Sequence, residues 1–239
     1  MHFRPMPVLS FVTIGALAVL AGLGFWQLER REEKHALMAE ITHRMIAPAE
    51  SIEALLINEA DAPFRHATAQ GTFENAQESY VFAPRSDETG ATHLGYKVIT
   101  PLRLTASALV LVDRGWVPEE KRSSAARLKG QVDIPVTLRG LLKPATTAGM
   151  FTPDPSLAEH IWYVHDIDAM AVAHGLKPAT LLYLEASTPV PGGPVPISDT
   201  PEIPDNHLMY AFTWFALAIV LVVIYFVFHH SRGRLRFRR

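Results

Sequence analysis

The sequence contains no cysteine among its 239 residues. This absence excludes disulfide bonds, thiolate metal sites, cysteine nucleophiles and covalent attachment of c-type haem. Net charge is also small, because 22 basic and 24 acidic residues nearly cancel, so bulk charge gives no reason to expect a nucleic-acid partner. Motifs of phosphate-binding loops, serine hydrolases and zinc peptidases are lacking as well. We therefore expect a protein that is not an enzyme.

Two long uncharged segments account for much of the hydrophobic content, which is 49% of the sequence. They are Val8–Phe25 and Leu208–Phe228. A helix needs about 20 apolar residues to cross a bilayer, so both are long enough once residues at the interface are counted. A cleaved signal peptide is the alternative for the first segment, but its apolar region would be shorter and followed by small residues. Here the segment leads into Trp26, Gln27 and charged residues, which favours a retained transmembrane helix.

The tail that follows the second segment indicates the orientation. It carries five arginines and no acidic residue, and basic flanks of this kind stay in the cytoplasm. Two crossings then place the N-terminus in the cytoplasm and the intervening domain outside it. We expect the inner membrane of a bacterium, with the main domain in the periplasm. The predicted boundaries are residues 1–7 for the cytoplasmic N-terminus, 8–28 for the first transmembrane helix, 29–204 for the extracytoplasmic domain, 205–228 for the second transmembrane helix and 229–239 for the basic cytoplasmic tail.

The region between the helices is predicted to be rich in strands. Glu29–Met45 has helical periodicity and continues the first transmembrane helix as a stalk. Two further helices are expected at Val117–Leu128 and Asp166–His174. Six prolines within Thr188–Pro204 predict an extended strap that leads back to the membrane. Apolar and β-branched runs predict strands at Ala67–Phe73, Ser79–Phe82, Tyr96–Thr100, Leu109–Asp113, Val132–Leu142, Ile161–His165 and Leu181–Ala186.

These elements define the expected fold class. Strands outnumber helices and most connections are short, which favours an antiparallel, partly closed sheet with a few helices. The prediction is therefore an α+β membrane protein. One transmembrane helix lies near each terminus, and the two flank a β-rich antiparallel extracytoplasmic domain.

The start of the second transmembrane helix contains a candidate binding site. His207, Tyr210 and Trp214 are spaced i, i+3 and i+7, so they lie on one face of a helix. Trp26 and Gln27 end the first helix on the same side of the membrane. If the two helices pair, these five side chains form an aromatic pocket at the outer leaflet of the bilayer.

Helix pairing is needed to assemble this pocket, and Ala18 and Gly22, four positions apart, would let a neighbouring helix approach closely. Two interpretations of the pocket remain open. In the first, the aromatic residues belong to the interfacial belt and His207 is a polar residue at a helix start. In the second, His207 is an axial ligand of a haem iron. A helix N-terminus favours an uncharged imidazole, and an aromatic pocket suits a flat porphyrin.

The other histidines are weaker candidates for a site. His35 and His43 are eight positions apart and are expected on the surface of a helix. His229 and His230 are expected at the lipid headgroups, where they extend the basic tail. The remaining isolated histidines are expected at the protein surface, and these are His66, His93, His160 and His174.

Six sequence blocks stand in a fixed order along nearly the whole chain. They are Gly24–Arg31 with Lys34, Phe64-Arg65 with Gly71–Phe73, Gly95–Pro101, Leu111–Pro118, Trp162-Tyr163 with Asp166 and Met170, and Asn206–Phe215. Each block is weak by itself. Together, and with one transmembrane helix at each end, they resemble the surfeit locus protein 1 family of cytochrome c oxidase assembly factors.

The resemblance implies a function, a cofactor and partners. Members of that family assist maturation of the large oxidase subunit, and bacterial members are held to bind haem a. On this basis His207 would be the ligand of the haem iron, and the cofactor would be held without a covalent bond. In the haem interpretation of the pocket described above, Tyr210, Trp214, Trp26 and Gln27 would be further haem contacts. The expected partners are the large subunit of cytochrome c oxidase, the lipid bilayer and, as a further candidate, haem a synthase.

Two alternative functions remain open. The first is a scaffold that stabilises an intermediate of oxidase assembly and binds no haem. The second is a membrane-anchored periplasmic enzyme, which would need a buried acid, base and nucleophile in the domain between the helices. His165 with Asp166 and Asp168 suggests general-base chemistry, but a strand end followed by a helix cap is the simpler explanation.

Overall fold

The computed structural model describes residues 2–104, 108–197 and 205–236. The chain divides into two compact units. The helical unit consists of Met1–Glu40 and Pro201–Arg239, and the barrel unit consists of Ile41–Thr200. Parts of three predicted segments lie outside the described residues, namely residue 1 of the N-terminal segment, 198–204 of the strap and 237–239 of the basic tail.

The described residues contain four α-helices. These are α1 Pro7–Ile46, α2 Ile52–Ile57, α3 Ile167–Ala173 and α4 His207–Ser231. The helices α1 and α4 contain 18-residue stretches with mean hydropathies of 2.3 and 2.6, of which only 11% and 6% are buried within the protein. Helices that are apolar and exposed over most of their surface are suited to lipid. The predicted membrane architecture, with one apolar helix near each terminus, is confirmed.

The helix α1 is longer than a membrane crossing requires. Its 40 residues extend about 60 Å, twice the thickness of the hydrocarbon core. The apolar part ends near Trp26, and charged residues follow, among which Arg30 pairs with Glu33 one turn later at 2.5 Å. The predicted stalk is therefore the second half of a single helix.

Twelve strands are described, several of them only two residues long. They are β1 His2–Phe3, β2 Glu50–Ser51, β3 His66–Phe73, β4 Ser79–Phe82, β5 Arg85–Ser86, β6 Thr92–His93, β7 Gly95–Arg103, β8 Leu109–Pro118, β9 Val136–Pro144, β10 Ile161–Trp162, β11 Leu182–Ala186 and β12 Leu235–Arg236. In the helical unit β1 pairs with β12, and in the barrel unit β5 pairs with β6. The other eight strands form one sheet. Every predicted strand has an observed counterpart, whereas the two small pairings were not predicted.

Five strands of this sheet close into a barrel. The order around the ring is β7, β8, β11, β9 and β3, and β3 returns to β7 by pairing Thr72 with Arg103 and Phe73 with Leu102. The strands β4 and β10 extend the sheet from β7, and β2 extends it from β3. The predicted strand-rich, partly closed sheet is confirmed.

Strand direction differs in part from the prediction, because the sheet is mixed rather than wholly antiparallel. The pairs β2–β3, β4–β10 and β8–β11 run parallel. The alternation of apolar side chains reports which residues face the core but carries no information on strand direction. Here β11 enters the ring between β8 and β9, which makes it parallel to one neighbour and antiparallel to the other.

Apolar side chains fill both sides of the barrel wall. Inward-facing side chains from the strands and α2 form the main core, which includes Ile52, Val110, Val112, Leu138, Leu142 and Leu184. On the outer face, α3 covers β7, β8 and β11 through a second cluster that includes Ile99, Leu109, Leu111, Ile167 and Met170. The run Leu109–Asp113 is thus buried on both faces. Each fully buried Leu or Ile contributes about 1.5–3 kcal/mol, and these cores replace the disulfides that the sequence lacks.

The predicted helix Val117–Leu128 is wrong. Its first two residues complete β8, and two 3-10 segments follow, at Glu119–Lys121 and Ser124–Gly130. Within the second segment the backbone of Arg127 leaves helical geometry, with φ −129°. The Arg127 guanidinium is buried and binds the Glu78 carboxylate at 2.7 Å. A buried ion pair with a residue distant in sequence here overrides the local helix preference.

The two short helices show how caps define their bounds. The predicted helix Asp166–His174 is confirmed as α3, whose N-terminus is capped by the Asp166 carboxylate accepting from the Ala169 N–H at 3.1 Å. The helix α2 was not predicted. It has only six residues, and its N-terminus is capped by the hydroxyl of Ser51.

The motif Asp113-Arg114-Gly115-Trp116 anchors the strap to the barrel. Gly115 has φ +113°, and a Cβ at this position would lie 2.0 Å from the carbonyl oxygen of Val195. This close approach lets Trp116 and Val195 exchange two backbone hydrogen bonds, of 2.8 and 3.0 Å. The Asp113 carboxylate stabilises this irregular part of β8, where the register with β7 shifts, by accepting from the Gly115 N–H at 2.9 Å.

We predict that Gly115→Ala detaches the strap and destabilises the barrel unit by about 2–4 kcal/mol, because the substitution combines an unfavourable φ with a backbone clash. The melting temperature should fall by about 10 °C, measured by near-ultraviolet circular dichroism of the full chain in detergent. The matched control is Gly90→Ala. Gly90 also has a positive φ, of +83°, but no described atom lies within 4 Å of a Cβ placed there. Equal effects of the two substitutions would contradict the prediction.

Candidate functional site

The helices α1 and α4 pack against each other as an antiparallel pair. Near one end the hydroxyls of Ser10 and Tyr225 lie 2.5 Å apart, and near the other Gln27 and His207 are hydrogen-bonded at 2.7 Å. The less exposed positions on α1 recur at alternating steps of three and four, as in a left-handed helix pair. They include Ser10, Thr13, Leu17, Leu20, Gly24, Gln27 and Arg31.

Gly24 determines how closely the two helices approach near the site. A Cβ there would lie 2.6 Å from the ring of Phe215, which packs edge-on against Phe25 with ring centroids 5.4 Å apart. The prediction that Ala18 and Gly22 form the contact is wrong. Both are exposed, and no described atom lies within 4 Å of a Cβ at Gly22. Small size alone does not show which side of a helix meets the neighbour.

His207 is the first residue of α4, and its imidazole is held by α1. The Nδ1 atom lies 2.7 Å from Oε1 of Gln27. Because an amide oxygen can only accept, Nδ1 carries the proton and donates it. The other ring nitrogen, Nε2, is buried and has no hydrogen-bond partner among the described residues. A buried polar atom without a partner costs about 1–3 kcal/mol, and such an atom in a native protein calls for an explanation.

Asp205 connects the start of α4 to the stalk half of α1. One carboxylate oxygen accepts from the backbone N–H of His207 at 3.1 Å, which satisfies a donor at the helix N-terminus. The other lies 2.7 Å from Nε2 of His35 and 3.5 Å from Nε of Arg31. The hydrogen bond from His35 lowers the pKa of Asp205. Gln27, Arg31 and His35 thus form a row at i, i+4 and i+8 on α1, and this row faces the N-terminus of α4.

This row was not predicted, although a signal for it is present in the sequence. His35 was expected to be an ordinary surface histidine, and its ring is half exposed but bound to Asp205. The spacing of Gln27, Arg31 and His35 places three polar groups on one helix face. An acidic residue just before α4 supplies the complementary charge.

The aromatic members of the predicted site are less enclosed than His207 and Gln27. Trp26 is 49% exposed and Tyr210 is 56% exposed, whereas Trp214 is half-buried. Trp26 and Gln27 are consecutive residues, so they project about 100° apart around α1, and only Gln27 faces His207. The structure thus brings together His207 and Gln27. The assignment of the three aromatic residues as haem contacts stays a prediction.

His229, expected at the lipid headgroups, is instead fully buried within the helical unit. Its Nε2 accepts a hydrogen bond from the backbone N–H of Met6 at 3.3 Å, and its Nδ1 donates to the carbonyl oxygen of Tyr225 at 2.8 Å. His229 therefore links the backbone near the N-terminus to α4.

The barrel unit contains a buried ionic cluster that was not predicted. The Asp113 carboxylate lies 3.3 Å from Nε2 of His165 and 3.4 Å from Nζ of Lys97, and Lys143 pairs with Glu185 at 2.7 Å. Burial opposes ionisation of Asp113, but the hydrogen bond from His165 and the charge of Lys97 outweigh it and lower the pKa of Asp113. None of these five side chains is a hydroxyl or thiol nucleophile.

Two other findings bear on the chemistry of the site. The described residues contain no group of three or more His, Asp or Glu side chains that could hold a metal ion. Asp166, which follows His165 in sequence, caps α3. The expected helix cap at this position is therefore observed. The cluster around Asp113 is a network of ion pairs that joins β7, β8, β9 and β11.

Comparison with known proteins assigns the family. The model of the SURF1 family matches residues 14–219. This chain belongs to the SURF1 family. The matched range of this SURF1 family member takes in the Gln27–His207 contact, the whole barrel and the Gly24 contact between the helices.

Relatives of this SURF1 family member come from animals and bacteria. Surfeit locus protein 1 of Homo sapiens is 30% identical over 220 residues, which cover 86% of this chain and 72% of the human protein. The protein of the same name from Takifugu rubripes is 29% identical, with 87% and 92% covered. The SURF1-like protein of Rickettsia bellii (strain RML369-C) is 28% identical, with 89% and 87% covered.

We predict that Gly24→Leu separates α1 from α4, because the new side chain would occupy the position of the Phe215 ring. The cost should be about 1–3 kcal/mol, typical of overpacking at a close contact, measured as a lower melting temperature in detergent. The matched control is Gly22→Leu, two residues away on a lipid-exposed face, which should change the melting temperature little. A larger effect from Gly22→Leu would contradict the observed helix pairing.

Proposed function

We propose that this SURF1 family member is a membrane-bound assembly factor for cytochrome c oxidase that holds haem a at His207 for insertion into the large oxidase subunit. The family membership supports the assembly role, because the surfeit locus protein 1 family that the sequence blocks resemble assists maturation of that subunit. One observation supports the haem site above all others. It is the buried Nε2 of His207, which has no hydrogen-bond partner among the described residues.

The residues around His207 fit a side chain that would hold haem iron through one ring nitrogen. Coordination to haem iron uses a nitrogen lone pair, and a ligating imidazole almost always donates its other N–H to an oxygen acceptor. The Gln27 amide oxygen is that acceptor, at 2.7 Å from Nδ1. This hydrogen bond leaves the lone pair on Nε2 and fixes the orientation of the ring. When bound, haem a would supply an iron centre that takes this nitrogen and an apolar, redox-active macrocycle.

The other polar contacts position the ligand rather than touch it. Asp205 binds the first backbone N–H of α4 and is itself held by His35 and Arg31. The start of α4, and with it His207, is therefore fixed to α1 by two separate side-chain links. In this proposal Trp214 supplies apolar packing beside the macrocycle, since it lies two turns below His207 on the same face.

Two further elements of the proposal concern partners and place. The large oxidase subunit and, as a further candidate, haem a synthase are the proposed partners. The proposed location is a bacterial inner membrane with the barrel unit in the periplasm, supported by the arginine-rich tail after α4 and by a bacterial relative of similar length. The alternative without haem is a scaffold that stabilises an oxidase intermediate by contact alone.

The haem site is tested with purified full-length protein loaded with haem a. We expect His207→Ala to change the position of the Soret band and to lower haem occupancy about tenfold, because the iron ligand is lost while the apolar surroundings remain. Trp214→Ala should lower occupancy without changing ligation. His93→Ala is the control, since His93 binds Asp87 in the small hairpin of the barrel unit, and it should change neither quantity.

The outcomes separate the ligand from its support. Gln27→Leu should lower occupancy less than His207→Ala, and Gln27→Glu, which keeps the acceptor oxygen, should restore it. Unaltered spectra and occupancy in His207→Ala would show that the ligand assignment is wrong. If the unsubstituted protein binds no haem a at all, the scaffold takes the place of the haem carrier.

The topology is tested by a reporter enzyme that is active only in the periplasm. We expect it to be inactive when fused after Arg239, since the arginine-rich tail keeps this terminus in the cytoplasm. Inserted at Gly90, in the exposed turn between β5 and β6, the same reporter should be active. Activity at the C-terminus would overturn the proposed orientation.

A further inference from the structure

A cavity of about 420 Å³ opens on the outer face of the barrel unit, apart from the site at His207. One wall comes from the end of α1 and the segment that follows it, and it is mainly apolar. The other comes from β3, β9 and the start of the strap. The lining residues are Met45, Ile46, Ala47, Pro48, Ala49, His66, Ala67, Arg139, Gly140, Ser187 and Thr188. The volume lies within the range of small-molecule sites, about 300–1,000 Å³.

Two side chains that can carry positive charge line this cavity, His66 and Arg139. In the register of β3 and β9, His66 is opposite Leu141 and Thr68 is opposite Arg139. His66 and Arg139 are therefore diagonal neighbours on the outer face, about 7–8 Å apart. No acidic residue is among those that line the cavity. The hydroxyl of Thr188, which accepts from the Arg139 backbone N–H at 2.9 Å, lies beside them and can donate.

Arg139 is unusual among the arginines of the barrel unit. Within residues 41–104 and 108–197, six of the eight arginines pair with a carboxylate, and these are Arg44, Arg65, Arg103, Arg114, Arg122 and Arg127. Arg85 lies over the ring of Trp116. No described ion pair, hydrogen bond or ring contact involves the Arg139 guanidinium. The same holds for the His66 ring.

We propose that this cavity binds a small organic anion whose carboxylate or phosphate group is held by Arg139 and His66. The planar guanidinium suits a bidentate bond to either group, and the imidazole adds a second donor. The apolar wall of Met45, Ile46 and Pro48 would pack against a short hydrocarbon body of the ligand. This binding site is independent of haem and of the oxidase.

The end of α1 offers another role for the same charges. A helix C-terminus carries partial negative charge, which nearby cations stabilise. In that case Arg139 and His66 would contribute to stability and bind no ligand. The two roles differ in a measurable way, because only a ligand site saturates with an added anion.

The test uses the full-length protein in detergent and two probes, butyrate and inorganic phosphate. The ring resonances of His66 are followed by ¹H–¹⁵N NMR while each probe is added. We expect saturable shifts, with butyrate favoured if the apolar wall contributes and phosphate favoured if charge alone decides. Arg139→Gln should weaken binding about tenfold or more, as expected when a charged hydrogen-bonding group is removed.

The matched control is Arg85→Gln, which removes an arginine that lies over the ring of Trp116 and has no described carboxylate partner. It should leave the binding curve unchanged. The proposal is overturned if neither probe gives a saturable shift up to about 50 mM, well above a millimolar dissociation constant. Equal weakening by both substitutions also overturns it. So does a lower melting temperature for Arg139→Gln with no probe response in the unsubstituted protein, since the arginine would then only complement the helix end.

Discussion

The barrel depends on the point where β3 leaves β9 and turns to pair with β7. Gly71 is the last residue of β3 opposite β9, and Thr72 is the first opposite β7. A Cβ at Gly71 would lie 2.4 Å from the carbonyl oxygen of Arg103, so only glycine lets the two strands approach closely enough to close the ring. Beyond the closure, the side chain of Arg103 pairs with Glu74. Closure encloses the apolar core and pairs the backbone of Thr72 and Phe73 with that of Arg103 and Leu102, which would otherwise be exposed.

The helical unit depends on a similar close approach. Gly24 makes room for the Phe215 ring, and the spacing it sets brings Gln27 within hydrogen-bonding distance of His207. Polar links stand at both ends of the pair, with Met6 and His229 at one end and Gln27 and His207 at the other. In lipid there is little hydrophobic driving force between helices, so packing of small residues and such hydrogen bonds hold the pair together.

The proposed function assigns different tasks to the two units. The helical unit presents one imidazole nitrogen whose lone pair has no partner within the described chain, at the membrane level where an apolar macrocycle would partition. The barrel unit is a closed, well-packed body with a buried network of ion pairs around Asp113. Its cavity beside Arg139 is the site proposed for a small organic anion.

Much of the architecture could be predicted from the sequence alone, because it follows from local patterns. The uncharged segments Val8–Phe25 and Leu208–Phe228 predicted the two apolar helices. Apolar and β-branched runs predicted the strands. The proposal that His207 binds haem iron rests on its place at a helix start and on the resemblance of its sequence block, and it stays a prediction. Family membership likewise rested on short blocks whose order is visible without a structure.

Other features were decided only by tertiary structure. The helix pairing uses Gly24 rather than Ala18 and Gly22, because the contacting face depends on the shape of the neighbouring helix. The segment that contains Arg127 is not a regular helix, because the Arg127 guanidinium pairs with the buried Glu78 carboxylate and the backbone leaves helical geometry there. Parallel pairing of β8 with β11 and the row of polar residues facing Asp205 join parts of the chain that are far apart in sequence. Local patterns determine which residues avoid water, whereas the partner that each residue finds depends on how the whole chain packs.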